Sequence, residues 1–210
     1  MTAAKRKKNE VDMINGPLLP KILIFSATVF LTNLMQLLFN TSDLVVVGRF
    51  AGNDALGAVG ATGALTTLFV NLFIGFSVGV SVVCTHCYGS GDMKGFRETV
   101  TTSVSLSAIC GTILAVGGFF LSRGMLELMD TPESLLTMAA DYLKIYFLCM
   151  PALMFFNYGA AILRSIGNTK TPMIILGVSG LTNVVLNLIF VIVFKLGVIG
   201  VALATTVTQY

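Results

Sequence analysis

Long apolar tracts alternate with short polar turns along this chain, and each long tract can cross a bilayer, which needs about 20 apolar residues per helix. The first predicted helix covers roughly 20–48, where Lys21 and Asp43 are the only charged residues. Gly52-Asn53-Asp54 makes a turn, with Asn53 or Asp54 as the expected N-cap of a second helix over 54–86. Gly89-Ser90-Gly91-Asp92 is the next turn, and a third helix is predicted over 95–121. The stretch from Arg123 to Ser134 is polar and acidic and contains Pro132, so it reads as a loop with room for a short interfacial helix. A fourth helix is predicted over 135–166. The break Gly167-Asn168-Thr169-Lys170-Thr171-Pro172 leads to a fifth over 173–194, with Pro172 suited to its first turn. After the turn Lys195-Leu196-Gly197 a sixth begins at Val198. By Tyr210 that helix has run about 13 residues, or about 20 Å at 1.5 Å per residue, which is too short to cross. The chain is therefore expected to be a fragment of a longer protein that stops inside a span.

Composition agrees with the pattern. Of 210 residues, 55% are hydrophobic and 11% are charged, against roughly 25% charged in a soluble domain. Too few charges remain to clothe a water-facing surface, so the bilayer is the expected solvent. The fold class is all-α integral membrane: a tail over 1–19 and a six-helix transmembrane bundle over 20–210, the sixth helix incomplete.

Charge sets the expected orientation. The run Lys5-Arg6-Lys7-Lys8 is a candidate nucleic-acid arm or anionic-lipid contact. Its place just before an apolar helix favours a positive-inside signal. The helix that follows is too long for a signal peptide and lacks a small-residue cleavage site. A cytoplasmic N-terminus puts Lys5, Arg6, Lys7, Lys8, Lys21, Lys94, Arg97, Arg164 and Lys170 inside, and Arg49, Arg123, Lys144 and Lys195 outside. Nine against four favours a multi-pass protein with its N-terminus in the cytoplasm.

Asp43 is the most informative residue. A carboxylate at bilayer depth costs about 2.5–3.5 kcal/mol on insertion scales and needs a cavity, a cation or a proton to offset it. At 100° per residue, Thr32, Gln36, Asn40 and Asp43 fall within an arc of about 80° and form one polar stripe. Ion or proton binding is one reading; snorkelling to the outer interface with Arg49 as partner is the other. Gly180, Asn183 and Asn187 share an arc of about 60° on the fifth helix, either facing a cavity or bonding between helices. On the second helix, Gly63, Thr67, Asn71, Gly75 and Gly79 form a ladder spaced by four. Close helix packing is its main reading, with Asn71 able to line a cavity. Gln36, Asn40, Asn71 and Asn157 are the candidate cavity-lining residues.

Other motifs carry less. Cys84-Thr85-His86-Cys87 has metal-like spacing but no second ligand pair, and His86 is the only histidine, so packing or an interfacial position fits better. The four cysteines suggest no disulfide framework. Gly89 to Gly95 lacks the lysine and hydroxyl spacing of a phosphate loop. The sequon Asn40-Thr41-Ser42 lies inside a helix. No nucleophile has a paired histidine, so an enzyme is not expected.

Three stretches resemble the N-terminal half of the MATE (multidrug and toxic compound extrusion) transporters. They are Asp43-Leu44-Val45-Val46-Val47-Gly48-Arg49-Phe50 with Ala55-Leu56-Gly57-Ala58-Val59-Gly60, then Leu163-Arg164-Ser165-Ile166-Gly167-Asn168-Thr169-Lys170-Thr171-Pro172, then Asn183-Val184-Val185-Leu186-Asn187 through Gly197–Thr206. The resemblance implies one lobe of a two-lobe, twelve-helix transporter with a central cavity and alternating access. It implies export of cationic or amphipathic drugs across the plasma membrane in exchange for Na⁺ or H⁺, with no other cofactor. It places a cation or proton site on Asp43, Asn183, Asn187 and Thr205, with Asp43 as the coupling carboxylate. Many relatives carry Asp where this chain has Asn187, so one of two expected carboxylates is an amide. The missing C-terminal lobe, the bilayer and small amphipathic substrates are the implied partners; nucleic acid is not. A lipid-linked oligosaccharide flippase of the same superfamily is the alternative, though it calls for a more basic cavity than Lys and Arg at helix ends suggest. A non-transporting membrane scaffold is the other.

Overall fold

The computed structural model describes residues 17–210. The basic run at residues 5–8 and most of the expected tail over 1–19 lie outside the described residues. Among the described residues seven α-helices follow one another: α1 (Leu18–Val46), α2 (Asn53–Ser90), α3 (Met93–Leu128), α4 (Glu133–Leu148), α5 (Met150–Ser165), α6 (Lys170–Leu188) and α7 (Gly197–Gln209). Two π-helical turns, Val47–Ala51 and Ile189–Val193, extend α1 and α6. Among the described residues four helices are long and apolar enough to span a bilayer, and α4 with α5 make a fifth span if taken together. The outer surface fits that solvent: large apolar side chains such as Phe30, Leu68, Phe120 and Leu181 are exposed, where water would penalise them and lipid does not.

The predicted fourth helix over 135–166 is two helices bent by 48° at Cys149. Pro151 is the reason: it has no N–H to donate, and its ring clashes with the carbonyl four residues back. The bend seats Pro151 against α3, where a Cβ on Gly111 would stand 2.6 Å from the Pro151 Cα.

The expected loop after residue 121 is also corrected. α3 stays helical to Leu128, with Arg123 and Glu127 paired at 2.9 Å one turn apart. At 36 residues it is about 54 Å long, well beyond a hydrocarbon core of about 30 Å. A helix need not end where the lipid does when its polar extension carries i,i+4 pairs. α2 likewise runs past 86 to Ser90 and stops at Gly91, whose φ of +78° is a left-handed cap. Asp92 then caps α3 by accepting from the Gly95 N–H at 3.0 Å. The expected caps Asn53 and Asp54 do not cap α2; its N-cap is Gly52, with no side-chain bond.

The glycine ladder of the second helix does not pack helices. A Cβ on Gly63, Gly75 or Gly79 would meet nothing within 4 Å. Four residues rotate 400°, so each rung drifts about 40° and the ladder leaves any one contact face. Close packing belongs to other glycines. A Cβ on Gly180 or Gly118 would run into the rings of Phe39 and Phe147, and a Cβ on Gly177 would meet Met35 at 3.0 Å. These contacts bring α1 onto α6 and α3 onto α4, and so set Asp43 against the polar face of α6.

Candidate functional site

Asp43 lies on the last full turn of α1, half-buried, and accepts a hydrogen bond from Nδ2 of Asn187 at 2.5 Å. Asn187 is fully buried and donates as well to Oδ1 of Asn183, one turn earlier on α6, at 3.1 Å. Asn183 donates from Nδ2 to two hydroxyls of α7, Thr208 Oγ1 at 3.3 Å and Thr205 Oγ1 at 3.4 Å. The predicted set Asp43, Asn183, Asn187 and Thr205 is thus one connected network across three helices. Sequence reasoning missed Thr208. Its signal was spacing: residues 205 and 208 are three apart on a helix and share a face. The docking of α7 is fixed nearby, where Ser179 donates to the Thr208 carbonyl at 2.7 Å and Thr206 to the Ile145 carbonyl at 3.1 Å.

The amide protons and acceptors do not balance. Asn187 uses its N–H groups on Asp43 and Asn183, and its own Oδ1 is buried with no partner. A buried acceptor without a donor is costly, by about 1–3 kcal/mol. Beside a carboxylate, such an oxygen suits a small cation or a proton-bearing group rather than another acceptor. The ion pairs among the described residues join Lys94 to Glu98, Arg123 to Glu127 and Lys144 to Asp141, so Asp43 is not paired with Arg49.

Both helices that hold the site change pitch directly beyond it. The π turn Val47–Ala51 begins four residues after Asp43, and Ile189–Val193 begins two after Asn187. Val47 and Val191 from these turns join Tyr142 and Val201 in one buried apolar cluster. Wide turns of this kind are frequent at functional sites.

The predicted stripe of α1 divides. Thr32 is buried and bonds back to the Thr28 carbonyl, Asp43 meets α6, and Asn40 is exposed. Gln36 lines a separate groove of about 470 Å³ between α1, α2 and α5, together with Asn157. Gln36 and Asp43 leave α1 only about 20° apart but about 10 Å apart along its axis, so they meet different neighbours. Of the four expected lining residues, Gln36 and Asn157 border this groove; Asn40 and Asn71 are exposed and do not. Asn33, Ser77, Ser81, Thr85, His86 and Arg164 also line it and were not predicted. Arg164 is at a helix end, as expected, in the last turn of α5, and it faces the groove. The Cys84-Thr85-His86-Cys87 tetrad splits: Cys84 is buried, while Thr85 and His86 face the groove.

Similarity to known proteins falls on the same helices. The MatE family model matches residues 29–189. The probable multidrug resistance protein YpnP of Bacillus subtilis is 29% identical over 94% of this chain and 44% of its own length. YoeA, another probable multidrug resistance protein of that organism, is 30% identical over 88% of the chain and 41% of its own length. The chain thus spans under half the length of these relatives. A solved MOP superfamily transporter from Pyrococcus furiosus superposes with a TM-score of 0.89 and 25% identity, covering 98% of this chain and 45% of that one. The family model takes in Asp43, the bent α4–α5 pair and both asparagines of α6, and on that match this chain belongs to the MatE family.

Proposed function

We propose that the protein is an ion-coupled antiporter that exports amphipathic small molecules across the bacterial plasma membrane by alternating access, with its N-terminus cytoplasmic. The observation that carries this is the Asp43–Asn187–Asn183 network with its orphaned Asn187 Oδ1. A carboxylate and several amide and hydroxyl oxygens held inside spanning helices are costly for a purely architectural protein. They become useful when the site takes up and releases Na⁺ or H⁺. A monovalent cation is offered the Asp43 carboxylate, Asn187 Oδ1 and the Thr205 hydroxyl. The amide at Asn187 leaves a single negative charge, which matches a single positive one.

Coupling runs through α1. Gln36 borders the groove and Asp43 closes the network, two turns apart, about 10 Å along one helix. Neutralising Asp43 weakens its hydrogen bond to Asn187, one of the contacts that hold α1 on α6, and the π turns beyond the site give both helices a place to change register. Ion and exported compound then favour different arrangements of the same helix, which is the linkage an antiporter needs. Two relatives named as multidrug resistance proteins support the export reading.

The test is efflux of a fluorescent compound from proteoliposomes containing the whole gene product, with Na⁺ and pH gradients imposed separately. Efflux should follow one of the two gradients and vanish when that gradient is collapsed. Efflux indifferent to both, or no efflux under any gradient, refutes the proposal.

A further inference from the structure

The groove between α1, α2 and α5 has one charged end. Its floor is a stripe of α2 that recurs every turn, with Ile74, Val78 and Val82 exposed along it. From Ile74 to His86 it runs about 18 Å at 1.5 Å per residue. At the far end stand His86 and Arg164, and the amides of Gln36 and Asn157 border the walls. Among the described residues no aspartate or glutamate lines it. Arg164 is half-buried, and its guanidinium makes no ion pair or hydrogen bond among the described residues.

A partly desolvated guanidinium without a counter-charge is unfavourable, and its planar fork of donors matches carboxylate and phosphate oxygens. The apolar floor beside it would pack a hydrophobic body. A cation finds no carboxylate here: Asp43 is about 10 Å further along α1 than Gln36 and bonded to Asn187. We propose that this groove binds amphipathic organic anions, the carboxylate or phosphate at Arg164 and the apolar body along Ile74, Val78 and Val82. This departs from the cationic preference that family resemblance implies. It rests on the export reading for the fate of the ligand, but binding is measurable without transport.

The probes are radiolabelled 2-naphthoate, its methyl ester and 2-naphthyltrimethylammonium, which share one apolar body and differ in charge. Equilibrium binding to the purified whole protein in zwitterionic nanodiscs should rank the anion first, at least tenfold tighter than the ester, as expected for a charge-assisted pair. Arg164→Gln should erase that preference while leaving ester binding within about twofold, and Arg164→Lys should restore part of it. Equal binding of anion and ester by the wild-type protein overturns the proposal, as does tighter binding of the cation; neither outcome depends on a variant that folds. An unchanged preference in a folded Arg164→Gln overturns it too, reducing Arg164 to an interfacial anchor. Adding phosphatidylglycerol separates the sources of the anion. Displacement of 2-naphthoate by that lipid assigns the site to headgroup phosphate, and indifference assigns it to solutes; the anion chemistry stands in both. Anion-selective binding without efflux under any gradient leaves this inference standing and removes the export reading. Gradient-driven efflux without anion selectivity does the reverse.

Discussion

Asn187 donates to the Asp43 carboxylate across 144 residues of chain, and among the described residues it is the only side chain that bonds both Asp43 and Asn183. One buried amide therefore ties the end of α1 to the face of α6 and, through Asn183, to α7. Hydrogen bonds to a charged partner contribute about 1.5–3 kcal/mol, more than a neutral pair.

Replacing Asp43 by Asn keeps the shape and removes the charge. Asp43→Asn is expected to insert into the membrane at near wild-type abundance and to reduce gradient-driven efflux to the level of empty vesicles. Drug-resistance assays of cells carrying the whole gene, with membrane-fraction blots alongside, measure both. Wild-type resistance in that variant would contradict the coupling role.

Asn187→Asp adds the second carboxylate. Two carboxylates at hydrogen-bond distance repel unless a cation or proton sits between them. The half-saturating Na⁺ or H⁺ concentration for efflux should fall about tenfold, equivalent to about 1.4 kcal/mol of tighter ion binding. Asn187→Ala should move the half-saturating Na⁺ concentration the other way, because the site loses the unpartnered Asn187 Oδ1 acceptor. Ion titrations of efflux rate discriminate the two directions.

Thr205 and Thr208 back each other up, since Asn183 Nδ2 reaches both hydroxyls. Thr205→Val or Thr208→Val alone should change stability by less than about 0.5 kcal/mol, while the double variant should lose about 1–2 kcal/mol. Thermal unfolding in detergent of the four proteins in the cycle measures the excess. Simple additivity would show that the two hydroxyls act independently.

Gly111→Ala and Gly180→Ala should differ in cost. A Cβ on Gly111 meets the Cα of Pro151, which cannot rotate away, whereas a Cβ on Gly180 meets the ring of Phe39, which can turn. Overpacking of about 1–3 kcal/mol is expected at Gly111, exceeding the roughly 1 kcal/mol that Ala gains in helix propensity. Gly180→Ala should be milder and should be rescued by Phe39→Leu. Thermal shift ranks the variants, and a Gly111→Ala protein as stable as wild type would contradict the close α3–α5 contact.

The number of spans, the membrane as solvent, the turns at Gly91 and Gly197, and the face shared by Asn183 and Asn187 were all legible in the sequence. Each depends on local composition or helical periodicity, and these act over a few residues. Asp43 was also legible, because an acid in an apolar tract is conspicuous without knowledge of its neighbours. Pro151 was visible too, but the bend it makes depends on the space that Gly111 leaves for it.

Only the tertiary structure decided which polar residues meet. Periodicity fixes the angle at which a side chain leaves its helix, not the neighbour on that side. Thus Gln36 and Asp43, on one stripe of α1, go to a groove and to α6 respectively, and the glycine ladder of α2 touches nothing. Thr208 entered the network through the docking of α7 by Ser179 and Thr206, and Arg164 and His86 reached the groove where α5 packs beside α2. The sequence by itself determined a bundle of spanning helices with one misplaced-looking acid. The docking of α1 on α6, through Phe39 on Gly180, turned that acid into part of a buried site, because side-chain chemistry becomes a site only where packing brings its partners within hydrogen-bond reach.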